Sequence, residues 1–264
     1  MNLKRLSIVS LLAFVSLSCD SGDDGELSLE WQRLVSAPLA ADVKHDDLSF
    51  VSETEGWFVT RTGEVYHTQD GGTTFDRQLD TDAYFRTVGF ANPLHGWVGN
   101  LRGEGSDVLY ETFDGGENWR IVDLPKGPQG LCGIHVFNES VVNAVGRLRG
   151  PPFFLRTEDA GVTWTATDLS LQAAFLIDVY FFTEDVGIIV GGNGVLSESS
   201  AIILKTRDGG ETWSKVHETS RVGEWCWKIS FVNSSLGFVS VQTGLNSTVS
   251  DEYYLKTVDG GDTW

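Results

Sequence analysis

The 264-residue sequence has few of the residues on which several classes of protein depend: three cysteines, one methionine and six prolines. Three cysteines are too few for a disulfide-stabilised scaffold or a metal cluster built on thiolates. With 41% hydrophobic residues, the chain is neither disordered nor collagen-like and has enough apolar material for one large globular domain. Positive charge is also scarce, since 19 Lys and Arg stand against 37 Asp and Glu. The net charge of −18 argues against binding to nucleic acid or to an anionic membrane surface.

Residues 1–18 have the pattern of a secretory signal peptide. Lys4 and Arg5 precede an apolar run over residues 6–17 that is too short to span a bilayer. Cys19 follows directly, which predicts a bacterial lipoprotein with Cys19 as the lipidated first residue of the mature chain. The two residues at 16 and 17 depart from the usual lipoprotein pattern. The alternative is a soluble secreted protein in which Cys19 has no role.

Residues 19–30 are polar, acidic and contain glycine, so they cannot bury enough surface to fold. We expect them to be a flexible tether, with the folded domain spanning residues 31–264. A lipid anchor would place this domain in the bacterial cell envelope, either in the periplasm or on the cell surface. The membrane is then contacted through the anchor alone.

An octapeptide with the pattern T-x-D-[GA]-G-x-[TN]-[WF] recurs five times. The copies occupy residues 68–75, 112–119, 157–164, 206–213 and 257–264. Their aspartates are 44, 45, 49 and 51 residues apart, and they are Asp70, Asp114, Asp159, Asp208 and Asp259. Repeats of this period are typical of solenoids and propellers.

Each octapeptide has the chemistry of a turn between two strands. The aspartate can accept hydrogen bonds from the amides that follow it, and the second glycine can adopt the positive φ that a tight turn needs. We therefore interpret the five aspartates as structural residues. Catalysis or metal binding by five identical turns is the less favoured alternative.

The segments between the octapeptides predict strands. Short β-branched and aromatic runs alternate with turns rich in Asn, Asp, Ser and Gly, and no sustained helical period is present. Four antiparallel strands in each repeat predict an all-β fold, a β-propeller of four-stranded blades. One blade could not be stable alone. The segment Trp31 to Leu34 resembles the strand that follows an octapeptide and could complete the last blade.

The repeats resemble a known family. Each octapeptide follows a strand pair marked best by Gly56-Trp57 and Gly96-Trp97. Looser counterparts are Asn143-Ala144, Gly187-Ile188 and Gly237-Phe238. Together these motifs are similar to the BNR/Asp-box propeller repeats of the photosystem II stability and assembly factor family.

That resemblance implies a propeller that binds other proteins and is not an enzyme, in a thylakoid lumen or in the envelope of other bacteria. It also implies six or seven blades. The five visible repeats then predict a fragment of a longer ring, and the alternative is a small five-bladed ring closed by the Trp31 strand.

Asp-box repeats also occur in sialidases, so a sialidase-like glycoside hydrolase or a carbohydrate-binding surface protein is the alternative function. Such a hydrolase needs an arginine triad, a tyrosine nucleophile with a glutamate partner and an aspartic acid. No arginine motif of that type precedes the first octapeptide. The tyrosines Tyr66, Tyr84, Tyr110 and Tyr180 lie in or beside strand segments, where packing is the common role.

Arginines cluster in loops that should share one end of the ring. The loops between the second and third strands contain Arg61, Arg102, Arg147 and Arg149, and the link before the second blade contains Arg86. Arginine binds carboxylates through two parallel hydrogen bonds. The cluster predicts a docking site for an acidic segment of a partner protein, and the alternative is scattered solvated charge.

The remaining reactive residues predict no further site. Cys132 and Cys226 lie in non-adjacent repeats, and we expect buried thiols, with a disulfide as the alternative. The five histidines lack metal-ligand spacing, and neither a metal nor a cofactor is expected. The aromatic runs at 151–154 and 225–227 could contact a partner, although core packing is the common role of such residues.

Overall fold

The computed structural model describes residues 34, 36–38, 44–103, 107–244 and 252–264. The predicted signal peptide, Cys19 and the acidic tether lie outside these residues. Among the described residues, strands and turns predominate, and a short 3-10 helix spans Leu196–Glu198. The described part contains no helix with the length and apolar character that crossing a bilayer requires.

The strands form five antiparallel sheets in chain order, as the repeats predict. In each sheet the strands lie side by side in chain order, four in the first four sheets and three in the fifth, and we call each sheet a blade. The first blade contains β1 His45–Phe50, β2 Gly56–Thr60, β3 Glu64–Thr68 and β4 Asp76–Asp80. The second contains β5 Phe85–Phe90, β6 Gly96–Asn100, β7 Leu109–Thr112 and β8 Arg120–Ile121.

The third blade contains β9 Gly133–Val136, β10 Val142–Gly146, β11 Phe153–Thr157 and β12 Thr165–Asp168. The fourth contains β13 Phe175–Phe181, β14 Gly187–Asn193, β15 Ser200–Thr206 and β16 Ser214–Glu218. The fifth has three described strands, β17 Glu224–Phe231, β18 Gly237–Thr243 and β19 Tyr253–Thr257.

The glycine that starts the second strand of a blade is explained by a close aromatic contact. Phe90 pairs with Gly96, and a Cβ on Gly96 would lie 2.4 Å from the Phe90 ring. The same contact recurs at Gly56, Gly187 and Gly237. In the third blade Val136 pairs with Val142 instead. The register therefore makes Val142-Asn143 the counterpart of Gly96-Trp97, one residue earlier than the pair Asn143-Ala144 expected from the sequence.

The first strands of the blades converge at the axis, where four of them contain a bulge. The register shifts leave one extra residue in β1, β5, β13 and β17. These extra residues are Asp46, Arg86, Ile177 and Trp227. Bulges let a strand twist sharply and redirect a side chain. We call these four residues the hub.

Side chains near the hub connect neighbouring blades. The Asp47 carboxylate of β1 accepts hydrogen bonds from the Thr87 hydroxyl (2.8 Å) and the Val88 amide (3.2 Å) of β5. The Asp178 carboxylate of β13 accepts one from the Ile229 amide of β17 (3.1 Å). Blades one and two, and four and five, are therefore joined at their inner strands.

A lysine of the fifth blade shows that the blades curve around a common axis. The Lys228 ammonium lies 3.6 Å from the Asp178 carboxylate of the fourth blade and 3.7 Å from the Asp47 carboxylate of the first. A linear stack of sheets would keep the first and fifth blades apart.

The outer face of the fifth blade is less covered than its counterparts. Phe238 is 37% exposed, whereas the equivalent Trp57 and Trp97 are 1% and 0% exposed.

Leu34, which precedes the first blade in the sequence, packs against that blade. It lies against Gly72, where a Cβ would be 2.7 Å from Leu34 Cδ1. Gln78 lies against Gly116 of the second blade in the same way. Leu34 therefore occupies the place of an outer-strand residue, while Trp31 to Arg33 lie outside the described residues.

Candidate functional site

Four of the octapeptides form the turns between the third and fourth strands of their blades, and the fifth octapeptide begins at the end of β19. In the fourth blade, Asp208 Oδ1 accepts hydrogen bonds from the Thr206 hydroxyl (2.7 Å) and the Thr212 amide (2.9 Å). Asp208 Oδ2 accepts one from the Thr212 hydroxyl (2.5 Å). The Thr206 hydroxyl oxygen in turn accepts a hydrogen bond from the Gly210 amide (2.9 Å).

The same network holds at the other four aspartates. Hydrogen bonds from the residue four positions later lower the pKa of every one of these carboxyls. For Asp208 the pKa falls to about 2. Both residues after each aspartate have positive φ, including Ala160 at 57°. Both oxygens of each carboxylate are thus engaged in holding the turn.

The opposite end of the ring contains the loops in which arginines cluster. Because adjacent strands are antiparallel, the loops between second and third strands lie at the end away from the octapeptides. Arg61 follows β2 and Arg102 follows β6. Arg147 and Arg149 lie in the loop between β10 and β11.

Four of the predicted arginines line two adjoining depressions at this end. Arg61, Tyr84 and Arg102 line a depression of about 540 Å³. Tyr84, Arg102, Arg147 and Arg149 line the next one, of about 800 Å³. Since Tyr84 and Arg102 belong to both, the two depressions form one continuous surface. We call it the arginine groove.

The loops that form the groove are held by buried polar groups. Asn100, at the end of β6, accepts hydrogen bonds through Oδ1 from the amides of Tyr84 (3.1 Å) and Arg102 (2.9 Å). The Arg102 guanidinium lies over the Tyr84 ring at 5.3 Å. The Arg147 guanidinium donates to the carbonyl oxygens of Gly150 (2.8 Å) and Gln129 (3.3 Å). These contacts position Tyr84, Arg102 and Arg147 before any partner arrives.

The groove arginines differ from the other described arginines in their charge partners. Six arginines outside the groove lie within ion-pair distance of a carboxylate: Arg77, Arg86, Arg120, Arg156, Arg207 and Arg221. For Arg61, Arg102, Arg147 and Arg149, no such carboxylate is found among the described residues. In a chain with 37 acidic residues, the groove therefore gathers four arginines that lack an ion pair among the described residues, although Asp82 and Asp107 also line its first depression.

Arg86, the fifth predicted arginine, does not line the groove. It is a buried hub residue, and its guanidinium lies 3.2 Å from the Asp46 carboxylate and 4.9 Å from the centre of the Trp227 ring. The sequence placed Arg86 in a link between blades. The bulge in β5 instead turns its side chain inward to the axis.

Tyr84 is a groove residue that the sequence reasoning assigned to packing. It directly precedes β5, so it belongs to a link between blades, at the end of the ring that contains the arginine groove. Burial raises the pKa of Tyr84, and the positive charges of Arg61 and Arg102 oppose that rise. Its position between two loop arginines in adjacent repeats is the signal that could have identified it. Gln129 and Leu148, which also line the groove, had no such signal.

Two tyrosine–glutamate pairs have the residue types of a sialidase nucleophile. The Tyr66 hydroxyl donates to Glu64 (3.0 Å), and the Tyr253 hydroxyl donates to Glu224 (2.9 Å). Burial and these hydrogen bonds raise the pKa of both tyrosines, to about 12 for Tyr253. The protonated phenol is therefore stabilised, whereas a nucleophile requires a lowered pKa.

The other predicted features lie in the core. Cys132 and Cys226 are free, buried thiols. Phe154 stacks on Phe181, and Trp225 is buried in a cluster that Trp227 and Leu148 also contact. Within the ranges that the structure describes, no three His, Cys, Asp or Glu side chains are grouped to hold a metal ion.

No protein-family model matches the chain, and no curated protein matches it. Solved structures, by contrast, do match the chain. The GH74 enzyme of Niastella koreensis superposes with a TM-score of 0.63 and 15% identity, over 83% of this chain and 37% of the enzyme. The WD40 β-propeller domain of Doa1 superposes with a TM-score of 0.52 and 11% identity, over 84% of this chain and 71% of that chain. The chain is a β-propeller.

Structures of YCF48 are also among the similar propellers. YCF48 from Cyanidioschyzon merolae has a TM-score of 0.47 and 18% identity, over 83% of this chain and 97% of that one. YCF48 bound to D1 peptide has a TM-score of 0.40 and 18% identity, over 76% of this chain and 91% of that one. The expected likeness to photosystem II assembly factor propellers is thus present among solved structures. At these identities the likeness concerns the fold.

Proposed function

We propose that this β-propeller is a protein-binding platform that captures an acidic segment of a partner protein in the arginine groove. The observation that supports this proposal is the contrast in charge partners. Six arginines elsewhere are paired with carboxylates, whereas the four in the groove lie together and have no carboxylate of the described residues within ion-pair distance. Carboxylates of a partner would complete these pairs, with a single further N–H available at Arg147 because its guanidinium already donates to four protein oxygens.

The chemistry of the groove favours a peptide over a small anion. It extends across loops of three blades, and it combines guanidinium groups with the Tyr84 ring and the Leu148 side chain. A single anion would engage one or two of the arginines. An extended acidic segment can reach all four.

The same proposal includes attachment to the cell envelope. Residues 1–18 serve as a signal peptide, Cys19 carries the lipid, and residues 19–30 tether the propeller to the membrane. This arrangement leaves the propeller free to meet partners in the periplasm or at the surface. Replacing Cys19 with alanine should move the protein from the detergent phase to the aqueous phase in a detergent partition experiment. Because an uncleaved signal peptide would also retain the variant in the detergent phase, incorporation of radiolabelled palmitate is measured in parallel, and equal incorporation by the variant and the wild type would contradict lipidation at Cys19.

Charge reversal in the groove tests the binding proposal. We expect Arg102→Glu combined with Arg149→Glu to lower the affinity for a fluorescent peptide of four glutamates by more than about tenfold at low salt. Lys215→Glu combined with Lys256→Glu is the control, because it reverses the same number of charges at exposed positions of β16 and β19. Fluorescence anisotropy measures both. Equal affinities for the groove variant and the wild type would overturn the proposal.

A further inference from the structure

A second, less polar groove adjoins the arginine groove at the rim of the second blade. It has a volume of about 550 Å³, and its lining includes Ile121, Val122, Leu124 and Lys126. Gln129 lines both this depression and the arginine groove. We call the depression the rim groove. The two grooves therefore meet at Gln129.

The rim groove has a fixed shape. Val122 and Leu124 are partly buried and pack against the core cluster that contains Trp97 and Leu155. Pro125 and Pro128 restrict the backbone of the segment that forms the wall. A groove with a rigid wall binds an extended chain with a smaller loss of conformational entropy.

The junction between the two grooves is held by an arginine of the first. The Arg147 guanidinium donates through Nη2 to Gln129 Oε1 (3.2 Å) and through Nη1 to the Gln129 carbonyl (3.3 Å). Arg147 thus connects the positive surface with the start of the rim groove. A partner that bonds to Arg147 is placed next to the apolar wall.

Ile121 is the side chain that makes the rim groove a binding surface for apolar groups. It lies at the end of the two-residue strand β8 and is 51% exposed. An isolated exposed isoleucine needs no explanation, but this one lines a concave surface with Val122 and Leu124. Burial of its exposed half would favour a ligand that has an apolar side chain at this point.

We propose that the segment bound by this propeller has two chemical parts, acidic residues in the arginine groove and one or two adjacent apolar residues in the rim groove. This inference rests on the proposed function, because it specifies the partner of that same site. The charge of the first groove and the continuity of the two through Gln129 both support such an occupant.

Peptides that differ only in their apolar residues test the inference. The probes are a fluorescent peptide of four glutamates and two longer ones with two leucines before or after the glutamates. We expect one of the longer peptides to bind the wild-type protein about tenfold more tightly than the acidic peptide, which corresponds to about 1.4 kcal/mol. Ile121→Thr should reduce this advantage to less than about threefold and leave the affinity for the acidic peptide unchanged.

Leu171→Thr is the matched control. Leu171 is 97% exposed at the same end of the ring but lines neither groove, so its replacement should leave the leucine advantage intact. Threonine preserves β-branching at Ile121, and circular dichroism checks that both variants fold. If the acidic peptide binds but leucines add nothing, or if Ile121→Thr retains the advantage, the rim groove inference is overturned and the proposed function stands. If the acidic peptide fails to bind, both are overturned.

Discussion

Arg86 of the second blade forms an ion pair with Asp46 of the first, and both side chains are buried at the axis of the ring. Each belongs to a bulge in the innermost strand of its blade. The Trp227 ring of the fifth blade lies 4.9 Å from the guanidinium. One arginine therefore contacts blades that are far apart in the sequence.

The first prediction concerns this pair. Arg86→Met removes one of two cations beside the buried Asp46 carboxylate, since the Lys44 ammonium remains 2.9 Å away, and should lower the free energy of unfolding by about 2 kcal/mol. Urea denaturation measures the loss. Arg77→Met is the control, because Arg77 pairs with Glu64 and Asp80 at the surface and its loss should change stability by less than about 1 kcal/mol. Equal losses in the two variants would show that the pair at the axis does not stabilise the fold.

The second prediction concerns acid stability. The pKa of Asp208 is about 2 in the folded protein, below its ordinary value near 3.8, because Thr212 and Thr206 donate hydrogen bonds to the carboxylate. A lowered folded-state pKa stabilises the protein above the unfolded-state value, and this contribution is lost as the pH falls from about 4 to about 2.

Asp208→Asn should lower the melting temperature at pH 6 and make it less dependent on pH between about 4 and 2. Glu211→Gln, at an exposed position of the same octapeptide, is the control. Thermal unfolding followed by circular dichroism gives both curves. The interpretation fails if the asparagine variant keeps the full acid dependence of the wild type.

The third prediction compares two phenylalanines. Phe238, on the outer face of the fifth blade, is 37% exposed, whereas Phe181 of the fourth blade is buried against Gly187 and Trp213. Phe181→Ala should lower the free energy of unfolding by about 3 to 5 kcal/mol through lost burial and a cavity. Phe238→Ala should cost less than about half of that. Urea denaturation of both variants tests whether the fifth blade is as uncovered as the structure shows, and comparable losses would contradict it.

The propeller could be predicted from the sequence because local chemistry determines its repeating parts. The octapeptide turn needs an aspartate, a residue such as threonine four positions later, and residues that accept positive φ, so its pattern is visible without coordinates. The glycine before Trp57 and Trp97 is likewise imposed by a phenylalanine in the paired strand. The third blade was misplaced by one residue because Val136 and Val142 replace that contact.

The candidate site could be predicted only in part. The loop positions of Arg61, Arg102, Arg147 and Arg149 follow from the order of strands, and the structure brings all four to one groove. The inward orientation of Arg86 depends on a bulge, which has no sequence signature in this repeat. Gln129 and the rim groove depend on how the segment after β8 packs, which is a tertiary property.

The hydrogen bonds that Asp47 and Asp178 make across blade boundaries lie near the axis and not in the outer loops. Because these contacts join the sheets from within, the loops at the periphery can lengthen or change composition with little effect on the assembly of the ring. Changes in these loops can therefore alter what such a molecule recognises while the sheets keep their arrangement. The same freedom would let new recognition loops be grafted at the end of the ring that contains the arginine groove.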